Sequence, residues 1–172
     1  MSWRVAALLP ALACAALLGY GYYLQHVTGL DPCPLCLVQR LFFYAVLATS
    51  VTAAIHNPAR AGRVVYGVLL ALFAAGGLAA AGRQVWLQHL PPERVPACGP
   101  DLFFMLENFP LARVFQTLLQ GTGECAKVDW TFLGLSIAEW SLAWFAAFVL
   151  YGLWLAASRK HLAYQQQRRP AF

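Results

Sequence analysis

Charged residues are scarce in this sequence, and several familiar catalytic patterns are missing from it. Lys, Arg, Asp and Glu account for 11% of the 172 residues, while 60% are hydrophobic. Because a soluble domain has about 25% charged residues, this composition indicates a membrane protein. The basic residues do not cluster with aromatic side chains, so we expect no nucleic-acid partner. A nucleotide-binding loop, paired catalytic carboxylates and a Ser/His/Asp set are also missing, which argues against the enzyme classes that depend on them.

Four stretches without Lys, Arg, Asp or Glu are each long enough to cross a bilayer, which needs roughly 18 or more apolar residues. They are residues 5–30, 41–59, 64–82 and 140–158. We predict an all-α fold, a polytopic membrane protein whose four-transmembrane-helix bundle forms a single domain, residues 1–158. The predicted spans are residues 5–25, 39–57, 64–86 and 138–157, the two outer loops are 26–38 and 87–137, and the tail is 159–172.

The first span has an alternative interpretation as a cleaved signal peptide. An apolar run follows Arg4, and residues 12–14 weakly resemble a lipoprotein cleavage site. The apolar run continues to three tyrosines within residues 20–23, which fit an interfacial aromatic belt. We therefore interpret it as a membrane span.

Small residues and tryptophans add detail to the later spans. Between residues 74 and 82 the third span is almost entirely Ala and Gly, and small residues let helix backbones approach closely. We predict that the third span is the packing centre of the bundle. Trp140 and Trp144 are interpreted as interfacial anchors of the fourth span.

The basic residues are distributed unevenly over the two sides of the predicted bundle. With four spans both termini share one side, which has seven basic residues and no acid: Arg4, Arg60, Arg63, Arg159, Lys160, Arg168 and Arg169. The other side has the remaining five basic residues and all seven acids, so the net charges are +7 and −2. Because cytoplasmic loops are enriched in Lys and Arg, we predict cytoplasmic termini and outer loops on the opposite face.

Two pairs of cysteines occur in the predicted outer loops. Cys33 and Cys36 form a Cys-Pro-Leu-Cys motif before the second span, and Cys98 and Cys125 lie in the long second loop. Disulfides persist outside the cytosol, whereas the same spacing in the cytosol favours metal binding or transient redox chemistry. Two dithiol pairs on one side of a membrane therefore favour thiol–disulfide exchange. The fifth cysteine, Cys14, lies within the first span and is interpreted as a small hydrophobic residue.

The first cysteine motif has the features of a reactive pair. The second helix begins close to Cys36, and the positive end of a helix dipole favours a thiolate. Pro34 limits backbone freedom within the motif, and Arg40 lies four residues after Cys36, where it can share the same helix face. We predict that the Cys36 thiolate lies beside a fixed positive charge. The alternatives are a static disulfide and an Arg40 that only marks the end of the span.

The second outer loop contains a predicted short amphipathic helix. Its apolar residues have the spacing of one helix face: Leu111, Val114, Phe115, Leu118 and Leu119. Asn108 can cap this helix, Pro110 suits its first turn and Gly121 can end it. We favour a position in the membrane interface, and the alternative is packing against the outer end of the bundle.

The Cys33-Pro34-Leu35-Cys36 motif, Arg40, Cys98 and Cys125, distributed over a chain with four spans, resemble the disulfide-bond formation protein B (DsbB) family of bacterial inner membranes. The similarity covers essentially the whole chain. It implies a quinone-dependent thiol oxidase that reoxidises DsbA, the dithiol oxidase of the periplasm. The outer side would then be the periplasm, the cofactor would be ubiquinone or menaquinone drawn from the lipid bilayer, and no metal would be required.

The resemblance also implies a role for each cysteine. Cys98 would form the mixed disulfide with DsbA, and Cys125 would be its partner in the resting disulfide. Electrons would pass by disulfide exchange to Cys33 and Cys36, with the Cys36 thiolate against the quinone and Arg40 assisting it.

His89 follows the third span near the outer interface. The resemblance implies a position near the quinone, where an imidazole could exchange protons with the reduced cofactor. The alternative is a solvated interfacial histidine without a catalytic role.

Three rival interpretations remain. A protein similar to vitamin K epoxide reductase also combines a helical bundle, a Cys-x-x-Cys pair and loop cysteines with a quinone, but its loop pair precedes its quinone-proximal pair, whereas here the Cys-x-x-Cys pair comes first. Four outer cysteines could instead form a Cys₄ metal site, which a metal assay would detect. A purely structural membrane subunit would have no thiol-dependent activity.

Overall fold

The computed structural model describes residues 3–96 and 107–167 and is built around long helices. They are α1 (Trp3–Val27), α2 (Pro34–His56), α3 (Arg60–Gln88), the shorter α4 (Leu111–Gln120) and α5 (Ile137–Gln167). In the described residues, four helices are long and apolar enough to cross a membrane, with mean hydropathies between 1.6 and 2.2. The predicted all-α membrane bundle is confirmed.

Local sequence signals set the starts of two spanning helices. Cys33 is the N-cap of α2, and Pro34 follows in the first turn, where its missing N–H is not needed. The helix therefore begins before the predicted span and includes Cys36 in its first turn. At the start of α5, Ser136 and Glu139 form a capping box: the Ser136 N–H donates to Glu139 Oε2 at 2.7 Å, and the Glu139 N–H donates to Ser136 Oγ at 3.3 Å.

The long second loop contains the predicted helix α4 and two kinds of small element that the sequence analysis did not predict. Two 3₁₀ turns span Pro92–Arg94 and Gly123–Ala126. A short antiparallel hairpin pairs β1 (Thr131–Phe132) with β2 (Leu135–Ser136). Leu133 and Gly134 form its tip with φ angles of 53° and 81°, as tight hairpin turns require. Its second strand ends at Ser136, and α5 begins at the next residue, Ile137.

The ends of α4 agree with the sequence analysis only in part. Gly121 ends the helix as predicted, and its N–H donates to Thr117 O at 3.0 Å. The predicted cap is wrong, because Pro110 rather than Asn108 is the N-cap of the helix. Proline has no side-chain acceptor for the free amide groups of a first turn. α4 also contacts α2, so the helix lies close to the end of the bundle.

The spanning helices pack in sequence order, α1 on α2, α2 on α3 and α3 on α5. Gly67 of α3 and Gly152 of α5 permit a close backbone approach, because a Cβ at Gly67 would lie 2.9 Å from Gly152 O. Phe43 of α2 stacks on Phe145 of α5 with ring centroids 4.2 Å apart in the core. The prediction that the third span is the packing centre is confirmed, since α3 has the most extensive contacts.

Large apolar side chains also cover the outside of the bundle. Exposed examples occur on all four spanning helices: Leu12, Leu41, Ile55, Leu72 and Leu150. Such a surface is suited to lipid, in which a helix satisfies its own backbone hydrogen bonds. Because α1 ends where α2 begins and α3 ends near the start of α5, both predicted outer loops lie at one end of the bundle.

Candidate active site

The first cysteine motif forms a close pair in the first turn of α2. Cys33 Sγ lies 2.9 Å from Cys36 Sγ, and the Cys36 N–H donates to Cys33 Sγ at 3.4 Å. The Cys-x-x-Cys spacing places the two side chains on one helix turn, so a disulfide needs only a small movement. The free amide groups of the first turn also favour negative charge on sulfur.

A third cysteine reaches this pair from the second loop. Cys125 lies in the 3₁₀ turn after α4, is 0% exposed, and packs on Leu35 and Leu87 in a cluster that Cys33 also contacts. The Cys125 N–H donates to Thr122 O at 2.9 Å, which holds the turn. Three of the four predicted redox cysteines are therefore together. Cys98 lies outside the described residues, so its pairing with Cys125 stays a prediction.

Hydrogen bonds make the Cys125 thiol more acidic than an ordinary cysteine. A hydrogen bond from the Cys33 thiol is the largest cause that lowers the pKa of Cys125, to about 6, and the backbone amides of Leu35 and Thr122 add to it against the opposing effect of burial. The same hydrogen bond raises the pKa of Cys33. When Cys33 and Cys125 are both reduced, the thiolate of this contact is therefore on Cys125 near neutral pH, and Cys33 keeps its proton.

Arg83 of α3 holds the last residue of α4, Gln120. The segment that contains Cys125, residues 121–126, follows directly. Arg83 Nε and Nη2 donate to Gln120 O at 3.2 and 3.1 Å, and the guanidinium lies over the Trp86 ring at 4.2 Å. A cation at the C-terminus of α4 also complements the helix dipole. The sequence analysis counted Arg83 only as an outer charge, because its partner is 37 residues away.

The sequence analysis missed two hydrogen-bonded glutamines, of which Gln84 contacts both sulfurs of the cysteine pair. Gln84 Nε2 lies 3.3 Å from both Cys33 Sγ and Cys36 Sγ, and Gln39 Nε2 donates to Gln84 Oε1 at 2.6 Å. Both glutamines are buried in spanning helices. The available signal was an uncharged polar side chain in an apolar helix, since such residues need internal partners there.

A cavity of about 380 Å³ opens beside the cysteine pair, between α1, α2, α3, α5 and the hairpin segment. Cys33, Cys36, Arg40 and Gln84 are among its polar lining residues, which also include Asp31, Glu124, Lys127 and Asp129. Its aromatic lining consists of Tyr20, Phe43, Trp130, Phe132, Trp140 and Trp144. The volume and the mainly apolar walls are those of a small-molecule site. Interpreting Trp140 and Trp144 as interfacial anchors missed this lining role.

Arg40 links α2 to α1 at the edge of the cavity. Its Nη1 donates to Gln25 Oε1 at 2.6 Å, its Nη2 donates to Gly21 O at 3.3 Å, and its guanidinium lies 4.8 Å from the centre of the Tyr22 ring. The side chain therefore brings a positive charge to the cavity that contains Cys36 and also fixes the two helices.

His89 is separate from this arrangement. It is the C-cap of α3, its Nδ1 lies 2.9 Å from Val85 O, and its side chain is exposed. Among the described residues that line the cavity, His89 does not occur. A quinone-binding role for His89 stays a prediction.

A membrane bundle with a cysteine pair, a third cysteine in contact with it and a lined cavity beside the sulfurs defines a multi-pass thiol oxidoreductase. The family model described as "Disulfide bond formation protein DsbB" matches residues 3–155. The chain belongs to the DsbB family. This membership replaces the interpretation as a protein similar to vitamin K epoxide reductase.

Relatives with matching names are similar over most of the chain. It is 51% identical over 158 residues to "Disulfide bond formation protein B" of Methylococcus capsulatus, covering 90% of this chain and 96% of the relative. Identity to the protein of the same name from Marinobacter nauticus is 49% over 151 residues, covering 88% and 90%. Identity to "Disulfide bond formation protein B 1" of Pseudomonas aeruginosa is 47% over 146 residues, covering 85% and 90%. The protein is a multi-pass protein of the bacterial inner membrane with a role in disulfide bond formation.

Proposed function

We propose that this protein reoxidises a DsbA-type periplasmic dithiol oxidase and passes the electrons to a membrane quinone. The observation that carries the proposal is the contact of Cys125 with Cys33, beside a cavity that Cys36 lines. One cysteine pair belongs to a loop that can reach a soluble partner, and the other lies where a lipid-borne molecule can arrive. Electrons pass from Cys98 and Cys125 to Cys33 and Cys36 and then to the quinone.

The contact of Cys125 with Cys33 supports an order for the exchange between the two pairs. When DsbA forms a mixed disulfide with Cys98, the electron pair of the broken Cys98–Cys125 bond stays on Cys125 as a thiolate. Cys33 is then part of a disulfide and has no thiol proton to donate, and the backbone amides of Leu35 and Thr122 still favour the Cys125 thiolate. Cys125 then attacks Cys33, the sulfur that it contacts. The Cys33–Cys125 bond forms, the Cys33–Cys36 bond breaks, and its electron pair stays on Cys36.

The residues around the cavity suit a quinone. A volume of about 380 Å³ accommodates a substituted quinone ring, and aromatic walls suit its planar faces. A bound quinone supplies an acceptor for two electrons and two protons, which matches one dithiol oxidised per turnover. Cys36 presents its sulfur to the cavity, Arg40 provides a positive charge that favours a reduced acceptor, and the tryptophans exclude water.

The direct test combines the purified protein with a reduced DsbA-type protein and either ubiquinone or menaquinone. We expect quinone loss, followed by absorbance, to match DsbA thiol loss one to one. Oxidation of DsbA without quinone consumption, or no oxidation at all, would reject the proposal. A metal assay of the same sample would detect a Cys₄ site.

We also propose that both termini are cytoplasmic and that the cysteine cluster faces the periplasm, from the charges of +7 and −2 on the two sides. In a background with the native cysteines replaced by serine, an impermeant maleimide should label Glu93→Cys in intact spheroplasts. It should label His56→Cys, exposed at the opposite end of the bundle, only after the membrane is opened. The reverse pattern would overturn the topology and the compartment argument.

Arg40→Ala should weaken quinone use, because it removes the positive charge at the cavity. We expect kcat/KM for quinone to fall at least about tenfold, equivalent to roughly 1.4 kcal/mol, and Arg40→Lys to retain part of the activity. Gln25→Leu removes one partner of Arg40 from α1 but keeps the guanidinium, so its effect should be smaller. Quinone titrations normalised to inserted protein would decide this, and unchanged kinetics in Arg40→Ala would leave Arg40 only a helix contact.

A further inference from the structure

Two buried glutamines inside membrane-spanning helices require an explanation. Gln39 of α2 is 3% exposed and Gln84 of α3 is 4% exposed, although each amide has polar atoms that need hydrogen-bond partners. Burying an amide without partners in an apolar environment costs several kcal/mol. Gln84 lies against the Cys33–Cys36 pair and Gln39 bonds to Gln84, so the burial of the two amides is linked to the reacting sulfurs.

The contact between the glutamines determines which atoms face the sulfurs. Gln39 Nε2 donates to Gln84 Oε1 at 2.6 Å, so the carbonyl end of the Gln84 amide faces α2. The NH₂ end lies 3.3 Å from Cys33 Sγ and 3.3 Å from Cys36 Sγ. An amide NH₂ has two N–H donors, enough for one to each sulfur.

The same amide accommodates both forms of Cys36. A Cys36 thiol can donate to Gln84 Oε1 at 3.6 Å, whereas a thiolate can only accept from Nε2 at 3.3 Å. The donors of Arg40, the nearby cation, are directed to Gln25 and Gly21 of α1. The Cys33 thiol has one proton, which it can give to Cys36 or to Cys125 but not to both. Among the described side chains, Gln84 is therefore the donor to Cys36 that does not depend on Cys33.

We propose that Gln84 is a catalytic hydrogen-bond donor to the sulfur of Cys36 and that Gln39 is the positioning residue that orients it. The proposal rests on the electron relay described above. As Cys125 attacks Cys33, the Cys33–Cys36 bond breaks and its electron pair becomes a thiolate on Cys36. Gln84 stabilises this leaving sulfur from a fixed position. Because the amide is neutral, the stabilisation adds no charge to the membrane-embedded site.

The test measures the reduction potential of the Cys33–Cys36 pair in a dithiothreitol redox buffer, without DsbA or quinone. In a background with Cys98→Ser and Cys125→Ser, the cysteine pair that titrates is Cys33 and Cys36. Gln84→Met keeps the length of the side chain but removes its donors. We expect the disulfide to be favoured about tenfold more than in the parent protein, a shift of about 30 mV to a more negative potential. An unchanged potential in folded Gln84→Met would overturn the proposal.

Three further variants separate a chemical role from a structural one. Gln84→Glu keeps an acceptor for Gln39 but replaces the donors by a negative charge, so its shift should have the same sign and be at least as large. Gln39→Leu should give a smaller shift in that direction. Gln116→Met makes the same chemical change on the exposed face of α4 and should leave the potential unchanged. If Gln84→Met and Gln39→Leu lose thermal stability without any shift in potential, the two glutamines have only a structural role.

The buffer experiment is independent of the physiological electron donor and acceptor. If the potential of Gln84→Met shifts but the wild type turns over neither DsbA nor quinone, the proposed relay is rejected and the role of Gln84 is kept. Turnover in the wild type with an unshifted Gln84→Met potential would reject Gln84 and keep the relay. In the intact cysteine background, Gln84→Met should also slow formation of the Cys33–Cys125 disulfide about tenfold, as measured by acid quenching and mass spectrometry.

Discussion

Cys36→Ser is expected to lower quinone-dependent oxidation of a DsbA-type partner at least about a thousandfold, because loss of a residue that acts as part of a catalytic unit disables the whole unit. A serine at this position cannot form the disulfide that Cys33 needs, and the sulfur at the cavity is lost. Capture of DsbA by Cys98 should persist in this variant. Cys98→Ser should instead abolish the mixed disulfide while leaving Cys36 at the cavity. Quinone absorbance and non-reducing gels measure the two effects separately.

Cys14→Ser is the matched control, since Cys14 is a buried cysteine in the core of the bundle, in a different cluster from Cys33 and Cys125. Its turnover per inserted molecule should equal that of the wild type. A DsbA adduct that persists through Cys33 when Cys98 is absent would show that the order of the two pairs is wrong. Normal turnover of Cys36→Ser would remove the Cys33–Cys36 pair from the pathway.

Gly121→Ala is expected to lower turnover about a hundredfold by displacing the Cys125 segment, residues 121–126. Gly121 has φ 73° and ψ 152°, a conformation that is essentially restricted to glycine and costs other residues about 1–3 kcal/mol. An added Cβ would also lie 2.6 Å from Leu87 Cδ1 and 2.8 Å from Leu35 Cδ1. Both leucines are buried, so overpacking adds about 1–3 kcal/mol. A total of about 3 kcal/mol corresponds to roughly a hundredfold loss of the docked state.

Two measurements check this prediction. Turnover with reduced DsbA and quinone gives the loss of activity, and labelling of reduced Cys125 with an impermeant maleimide should become faster as the segment leaves its buried site. Gly134→Ala is the control, because Gly134 also has a positive φ of 81° but nothing lies within 4 Å of its added Cβ. If both variants kept wild-type turnover, the contact of Cys125 with Cys33 would not limit electron transfer.

The amino-acid sequence alone determined the bundle and the first cysteine pair. Four long apolar stretches predict four spanning helices, because in lipid a helix is the structure that satisfies its own backbone hydrogen bonds. The Cys33–Cys36 contact follows from local geometry, since the two side chains are three positions apart, about one helix turn. Gly121 was also readable as the end of α4, because glycine is favoured where a helix stops. These features depend on neighbouring residues or on average hydrophobicity.

The tertiary structure decided which distant residues join that pair. Cys125 could have been placed anywhere that a long loop permits, because loop-closure entropy changes only slowly with length and selects no single contact. Gln39 and Gln84 are 45 residues apart, and each looks like an isolated polar residue in an apolar helix. Only the rotation and depth of α2 against α3 bring their amides together beside the sulfurs. Helix packing, which no local pattern encodes, therefore determined the hydrogen-bond donors, the lining of the cavity and the position of the nucleophile.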